Sequence, residues 1–215
     1  MLRRSHTAWL VPLALTFVSI CSSAARATAQ TIYPFLGNYT TVVKITPISG
    51  NVSQVVETGF SLDAQYGLNQ YDGLTYSVAD ANGNLTINND PEVFGLTGYP
   101  LGYITFGSGT NKVFGLGDAS ASVDLANLTA KGGGVVNITG GEGIFENATG
   151  TLLYSEEDIV TLGDIITLNG KAVVSGSIEV PQQVPEPGNT ATLVGIGAIG
   201  SALMLRRYRN FSIVK

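Results

Sequence analysis

Carboxylates carry the densest chemistry in this 215-residue chain. Glu156, Glu157 and Asp158 are consecutive and Asp164 follows closely, a set of hard oxygen ligands suited to calcium in an acidic extracellular domain. The segment lacks the Asp-x-Asp-x-Asp-Gly spacing of an EF-hand loop and any glycine–aspartate nonapeptide repeat, so a solvated acidic loop is the plainer reading. Asp118 and Asp124 are candidate paired carboxylates for glycoside hydrolysis. Nothing in their spacing requires that role, and the Trp residues that usually surround such a cleft are missing. Tyr33, Tyr39, Tyr66, Tyr71, Tyr76, Tyr99, Tyr103 and Tyr154 could stack on sugars, or simply be half-buried strand residues.

What the central segment lacks is as informative. Cys21, His6 and Trp9 are the only residues of their kinds, and every Arg lies at position 3, 4, 26, 206, 207 or 209. Gln30 to Gln183, 154 residues, therefore holds no Cys, His, Trp or Arg. Disulfides, Cys- or His-based zinc sites, His-dependent nucleophile systems and arginine clamps are all excluded there. Fifteen carboxylates face four lysines over the same stretch, a net charge of −11, which repels nucleic acid. Without a group that titrates near neutrality unperturbed, the segment reads as non-catalytic and in need of no cofactor.

The elements that position these side chains read as strands. Tyr39–Ile48, Leu74–Ala79, Leu85–Ile87, Gly102–Phe106, Ser120–Leu125, Val135–Thr139, Thr151–Ser155, Ile165–Leu168 and Ala172–Val180 are rich in Thr, Val, Ile or alternating apolar residues. Gly132-Gly133-Gly134 and Asn169-Gly170 read as breaks, and Asn82-Gly83 as a hairpin turn with positive backbone dihedrals. Many short strands imply an antiparallel barrel or a sandwich in one all-β domain, which periodicity alone does not separate.

Val136-Asn137-Ile138-Thr139-Gly140-Gly141-Glu142-Gly143-Ile144-Phe145-Glu146 through Gly150 resembles the Gly-Gly-x-Gly-Ile-Phe-Glu segment of allene oxide cyclases and, more loosely, the Gly-Gly-x-Gly segment of dirigent proteins. The resemblance implies an eight-stranded antiparallel barrel, favoured over the sandwich. Gly140, Gly141, Gly143 and Gly150 then form a turn motif, with Ile144 and Phe145 directed inward and Ala172–Val180 paired with an early strand. The motif is structural in those families, so no catalytic residue is implied. A barrel interior filled by apolar side chains favours a structural role; an open apolar pocket of about 300 Å³ or more favours a small apolar ligand. A cyclase-like isomerase would need polar groups converging inside it.

The two ends read as addresses. Arg3 and Arg4 precede the apolar run Ala8–Ile20, and Ala27-Thr28-Ala29 offers a signal-peptidase site that leaves Gln30 as the first mature residue. Ile20 before Cys21 argues against a lipoprotein signal, and Ser5-His6 after the arginines against a twin-arginine signal. At the other end stand Val184-Pro185-Glu186-Pro187, an apolar stretch over 188–205, the basic residues Arg206, Arg207 and Arg209, and a tail over 210–215. Eighteen residues of helix span about 27 Å, enough to cross a hydrocarbon core of about 30 Å, with the arginines and the tail held in the cytoplasm. The pattern resembles the PEP-CTERM sorting signal of bacterial surface proteins. It implies an exosortase as processing partner, transient membrane anchorage, a cell-surface or extracellular destination, and envelope polysaccharide as a further partner. In that setting the Asn-x-Ser/Thr triplets at Asn38, Asn51, Asn84, Asn127, Asn137 and Asn147 read as strand surface.

Overall fold

The computed structural model describes residues 29–182. The sorting motif Val184–Pro187, the apolar stretch 188–205, the basic cluster, the tail and all but the last residue of the expected signal peptide lie outside the described residues. Nine strands form one antiparallel sheet: β1 (Gln30–Ser49), β2 (Val52–Phe60), β3 (Gln70–Ala79), β4 (Asn84–Asn88), β5 (Tyr103–Phe106), β6 (Lys112–Asp124), β7 (Thr129–Glu142), β8 (Thr149–Thr161) and β9 (Ile166–Pro181). The order is β2-β1-β9-β8-β7-β6-β4-β3-β5. In addition β2 pairs with β3 and β5 with β6, so both ends of that order are themselves hydrogen-bonded. The expected pairing of the last strand with an early one is present: β9 runs against β1 from Gln30↔Pro181 to Ile45↔Ile166.

Period-two alternation explains which face is buried. On β1, Phe35, Tyr39, Thr41, Val43 and Ile45 turn inward while their neighbours are mostly exposed. Pro34 sits where β1 has β9 as its only strand partner, so its missing N–H costs no ladder bond on the other side. That free side is covered by the 61–69 loop, where the Tyr66 hydroxyl donates to Pro34 O at 3.1 Å and Tyr39 donates to Leu68 O.

Three expectations need correction. Strand β2 was not anticipated, because Ser53, Gln54, Glu57, Thr58 and Gly59 dilute its apolar signal. Gly132–Gly134 and Asn169-Gly170 are not breaks; they lie inside β7 and β9, held by ladders on both sides. The Asn82-Gly83 hairpin is real, but only Gly83 is left-handed (φ 85°). The Asp80 carboxylate instead accepts from the Asn82 and Asn84 amides at 2.8 and 2.9 Å and shapes the turn.

Two apolar clusters fill the buried face. The larger contains Phe35, Tyr39, Leu68, Tyr71, Phe106, Phe145, Leu152, Val174 and Ile178, with Tyr33 and Tyr66 packed against it. The smaller is Val43, Ile45, Val55, Ala130, Val160 and Leu168. Along β8 the inward series runs Leu152, Tyr154, Glu156, Asp158, Val160; along β9 it runs Val174, Ala172, Gly170, Leu168; along β1 it runs Tyr39, Thr41, Val43. A polar and glycine belt thus separates the two clusters.

Candidate functional site

The belt holds a carboxyl–tyrosine cluster. Glu156 and Asp158 are two residues apart on one strand, so both side chains leave β8 on its buried face, at 8% and 7% exposure. Tyr154 precedes them in the same phase. Glu57 enters from β2, and Tyr71 from β3. Tyr71 Oη donates to Glu57 Oε2 at 3.2 Å, and Tyr154 Oη lies 2.9 Å from Glu57 Oε1 while also contacting Glu156 Oε2. A phenol has one proton and cannot donate to both carboxyls. One of its two contacts must therefore be a bond received from a protonated carboxyl.

Of the two carboxyls, Glu57 is the one whose surroundings raise its affinity for a proton. Burial, followed by the charge on Glu156, raises it well above the ordinary range, against the smaller lowering effect of the bonds from Tyr154 and Tyr71. Glu57 retains some accessible surface despite this burial, because it borders a cavity. Asp158 is pushed up to about 7, first by burial and then by the charge and hydrogen bond of Glu156. Tyr71 and Tyr154 are raised by burial first and by Glu57 second, so both stay neutral. The chain of contacts is then Tyr71 to Glu57, Glu57 to Tyr154, and Tyr154 to Glu156.

Glycines make room for these groups. A Cβ on Gly170, which pairs with Asp158, would stand 2.2 Å from Asp158 Oδ1. Beside the cluster, Ala130, Gly132 and Gly134 on β7, the register partners of Asp158, Glu156 and Tyr154, and Gly117, Ala119 and Ala121 on the next strand β6 form a wall of small residues. The space left between this wall, Val43, Val55, Leu85 and Leu168 is a cavity of about 80 Å³, lined also by Glu57, Tyr71, Tyr154, Glu156 and Asp158. The larger cluster, by contrast, is packed ring against ring, with Tyr71 and Phe106 centroids 5.1 Å apart and Tyr33 and Phe145 5.3 Å apart.

The carboxylates singled out in the sequence do not act as one set. Glu156, Glu157 and Asp158 are strand, not loop: Glu157 points outward to Lys131 at 2.8 Å, and Asp164 is exposed in the β8–β9 turn. The calcium reading of those four residues fails for that reason, and no three acidic side chains converge with metal-ligating geometry among the described residues. Asp118 and Asp124 lie on the exposed face of β6, where Asp118 accepts from Asn88 and Asp124 caps the 124–127 turn. Neither borders the interior cavity. Glu57 and Thr41 went unnoticed in the sequence. The legible signal was the alternation Leu152-x-Tyr154-x-Glu156-x-Asp158-x-Val160, which puts all five on one face of a strand.

The glycine motif forms the β7–β8 connection. Gly143 (φ 69°) and Gly150 (φ 130°) take left-handed conformations, and a Cβ on Gly141 would stand 2.5 Å from Lys112 O and Phe145 O. Phe145 is fully buried, as expected. Ile144 is not directed inward: it is 44% exposed, because the short turn at Gly143–Phe145 sends consecutive side chains in opposite directions. Comparison with protein families, with curated proteins and with solved structures finds no match to this chain.

Proposed function

We propose that this is an exported bacterial envelope or extracellular-matrix protein, processed by an exosortase, whose folded part is a non-catalytic β-barrel of the allene oxide cyclase/dirigent type. The observation that carries this reading is the circuit of strand pairing, in which the first strand of the sheet order, β2, pairs with β3 near its far end. Eight staves result when β4 and β5, both paired with β3 and β6, count as one. Such closure, with the 61–69 loop over the unpaired side of β1 near Pro34, protects the sheet edges from unwanted pairing outside the cell. The strands also fill the segment between the two address signals: β1 opens at Gln30, directly after the expected cleavage site, and β9 ends at Pro181, ahead of Val184. The buried Phe145 and the left-handed Gly143 and Gly150 support the barrel through the turn motif.

Envelope polysaccharide is the partner this reading favours. An outward groove of about 270 Å³, lined by Asn88, Asp90, Leu101, Asp118 and Asn137 among others, offers amide and carboxylate groups beside an apolar floor. Mass spectrometry of envelope and medium fractions from an exosortase-bearing host tests the assignment. The mature protein is expected to begin at Gln30 and to end close to Val184–Pro187. Released protein that retains 188–205 would replace processing with permanent anchorage.

A second reading is favoured by the cavity at the belt: the barrel holds a small ligand. Its volume of about 80 Å³ is far below the ~300 Å³ at which ordinary ligand pockets begin, so such a ligand has only a few heavy atoms.

A further inference from the structure

The polar belt permits an inference about that ligand, resting on the reading that the cavity receives one. We propose that the cavity binds a small organic cation, an alkylammonium whose nitrogen is held by Glu156 and Asp158 and whose apolar body lies against Val55, Leu85 and Leu168.

Charge is the first argument. Among the described residues, no cation meets Glu57, Glu156 and Asp158 where they enter the interior. Lys112 and Lys131 pair with Glu142 and Glu157 at 2.8 Å each, and Lys44 and Lys171 stand at exposed positions. Among the described residues the other elements bring no free charge to this layer: β6 and β7 contribute Ala, Gly, Val and Ser120, Lys131 borders the cavity but turns its amine out to Glu157, β9 contributes Gly170, and β1 contributes Thr41. An ionised carboxylate beside apolar walls requires a counter-charge or a proton.

Hydrogen-bond bookkeeping is the second. Among the described residues, the buried side-chain atoms without a partner are Glu156 Oε1, Asp158 Oδ1 and Thr41 Oγ1. They share one stretch of wall. Asp158 pairs with Gly170 and Gly170 with Thr41, leaving no side chain between the two, and Glu156 is the next inward residue on the same strand. Glu156 Oε1 and Asp158 Oδ1 are acceptors on residues that line the cavity, the Thr41 hydroxyl near them both donates and accepts, and a primary ammonium offers three N–H donors. In the free protein a proton between Glu156 and Asp158 meets part of this need. Binding of an ammonium therefore expels that proton.

Shape is the third. The cavity would hold two or three waters at ~30 Å³ each, or an ammonium with about three carbons. Metal ions need several convergent oxygens, whereas most of this lining is Val, Leu, Ala and Gly. A neutral apolar molecule would leave the acceptors unanswered.

Calorimetric titration of the full chain in mild detergent at pH 6, where Asp158 still holds its proton, tests the proposal, with n-propylammonium chloride, 1-propanol and calcium chloride as probes, in two buffers of different ionisation heat. Propylammonium is expected to saturate in the millimolar range with release of protons, and propanol and calcium to give no saturable heat. The isosteric variant E156Q/D158N is expected to bind propylammonium at least tenfold more weakly while melting no lower than the parent, and Ala130→Leu to remove binding by filling the space. Equal binding of propanol and propylammonium overturns the cation but leaves the small-ligand reading standing. Absence of binding by either overturns both. Preference for calcium, or unchanged affinity in E156Q/D158N, overturns the proposed site.

Discussion

The two ends of the buried face share strands β1, β6, β7, β8 and β9 and differ in side-chain volume. At one end Phe35, Tyr39, Tyr71, Phe106 and Phe145 reach across the interior and meet as tilted or edge-on rings. At the other, Val43, Ile45, Val55, Val160 and Leu168 stop short of an opposing wall made of Ala and Gly. Both ends lie on the buried face of one sheet, so side-chain volume decides whether the space over it is filled. The carboxyl–tyrosine cluster lies at the border, where packing gives way to space. A titratable group can survive burial there, because Tyr154, Tyr71 and the neighbouring carboxyls satisfy it from one side while the cavity relieves crowding on the other.

The largest effect expected from breaking this contrast is on the aromatic end. Phe106→Ala should cost about 3–5 kcal/mol in urea unfolding, while Val55→Ala should cost only about 1–2, since Val55 borders the cavity and its truncation merely enlarges an existing space. Equal losses would mean that both ends are packed alike. Next in size is Gly170→Ala. Its Cβ would stand 2.2 Å from both Asp158 Oδ1 and Glu157 O, a clash expected to cost about 2–3 kcal/mol and to push Asp158 out of the belt. A neutral outcome would show that the belt accommodates the extra atom.

Acidity probes the belt itself. Asp158 and Glu57 have raised pKa values in the fold, so the stability they contribute is complete below the ordinary carboxylate range and is lost as pH rises, for Asp158 through about 7. Asp63, lowered to about 2 by bonds from Asn38 and Ser61, has the opposite sign, as do Asp80, Asp124 and Glu157. Those four are fully ionised above pH 5 and contribute nothing to a change between pH 5 and 8. Melting is therefore expected to fall over that interval, by roughly 1–2 kcal/mol or about 3–6 °C once screening in the cavity is allowed for. E156Q/D158N should flatten the profile. A melting point that rises from pH 5 to pH 8 would remove the buried acid from the description.

Much of this fold was legible because strands announce themselves by period and by residue type. The β3–β4 hairpin follows from local pattern, whereas the pairing of β9 with an early strand and the inward Phe145 were implied by the resemblance of the glycine motif. The site was not legible for the same local reason. Three consecutive acidic residues read as a solvated loop only if their neighbours are ignored; Leu152 and Val160, in phase with Glu156 and Asp158, mark a strand with an inward face. Glu57 meets Tyr154 across 97 residues of sequence, a contact that needs the closed pairing before it can be drawn. The glycines misled in a similar way. Gly132–Gly134 and Gly170 look like strand breakers, but here the ladders on either side supply the order and the missing side chains supply the room.

The finest comparison uses one substitution at both ends. Ala121 borders the cavity on β6, and Ala148 is buried in the aromatic cluster at 1% exposure. Ala→Val adds the same two methyl groups in each place. At Ala121 they enter empty space in a strand that favours a β-branched residue, and the gain should be about 1 kcal/mol from filled volume. At Ala148 they meet side chains already in contact, and the loss should be at least about 1 kcal/mol from overpacking. Opposite signs in urea melts of the two variants are the expected result. If both destabilise, the space beside Glu156 is already taken up by movement of the β6–β7 wall, and the contrast between the two ends reduces to chemistry without volume.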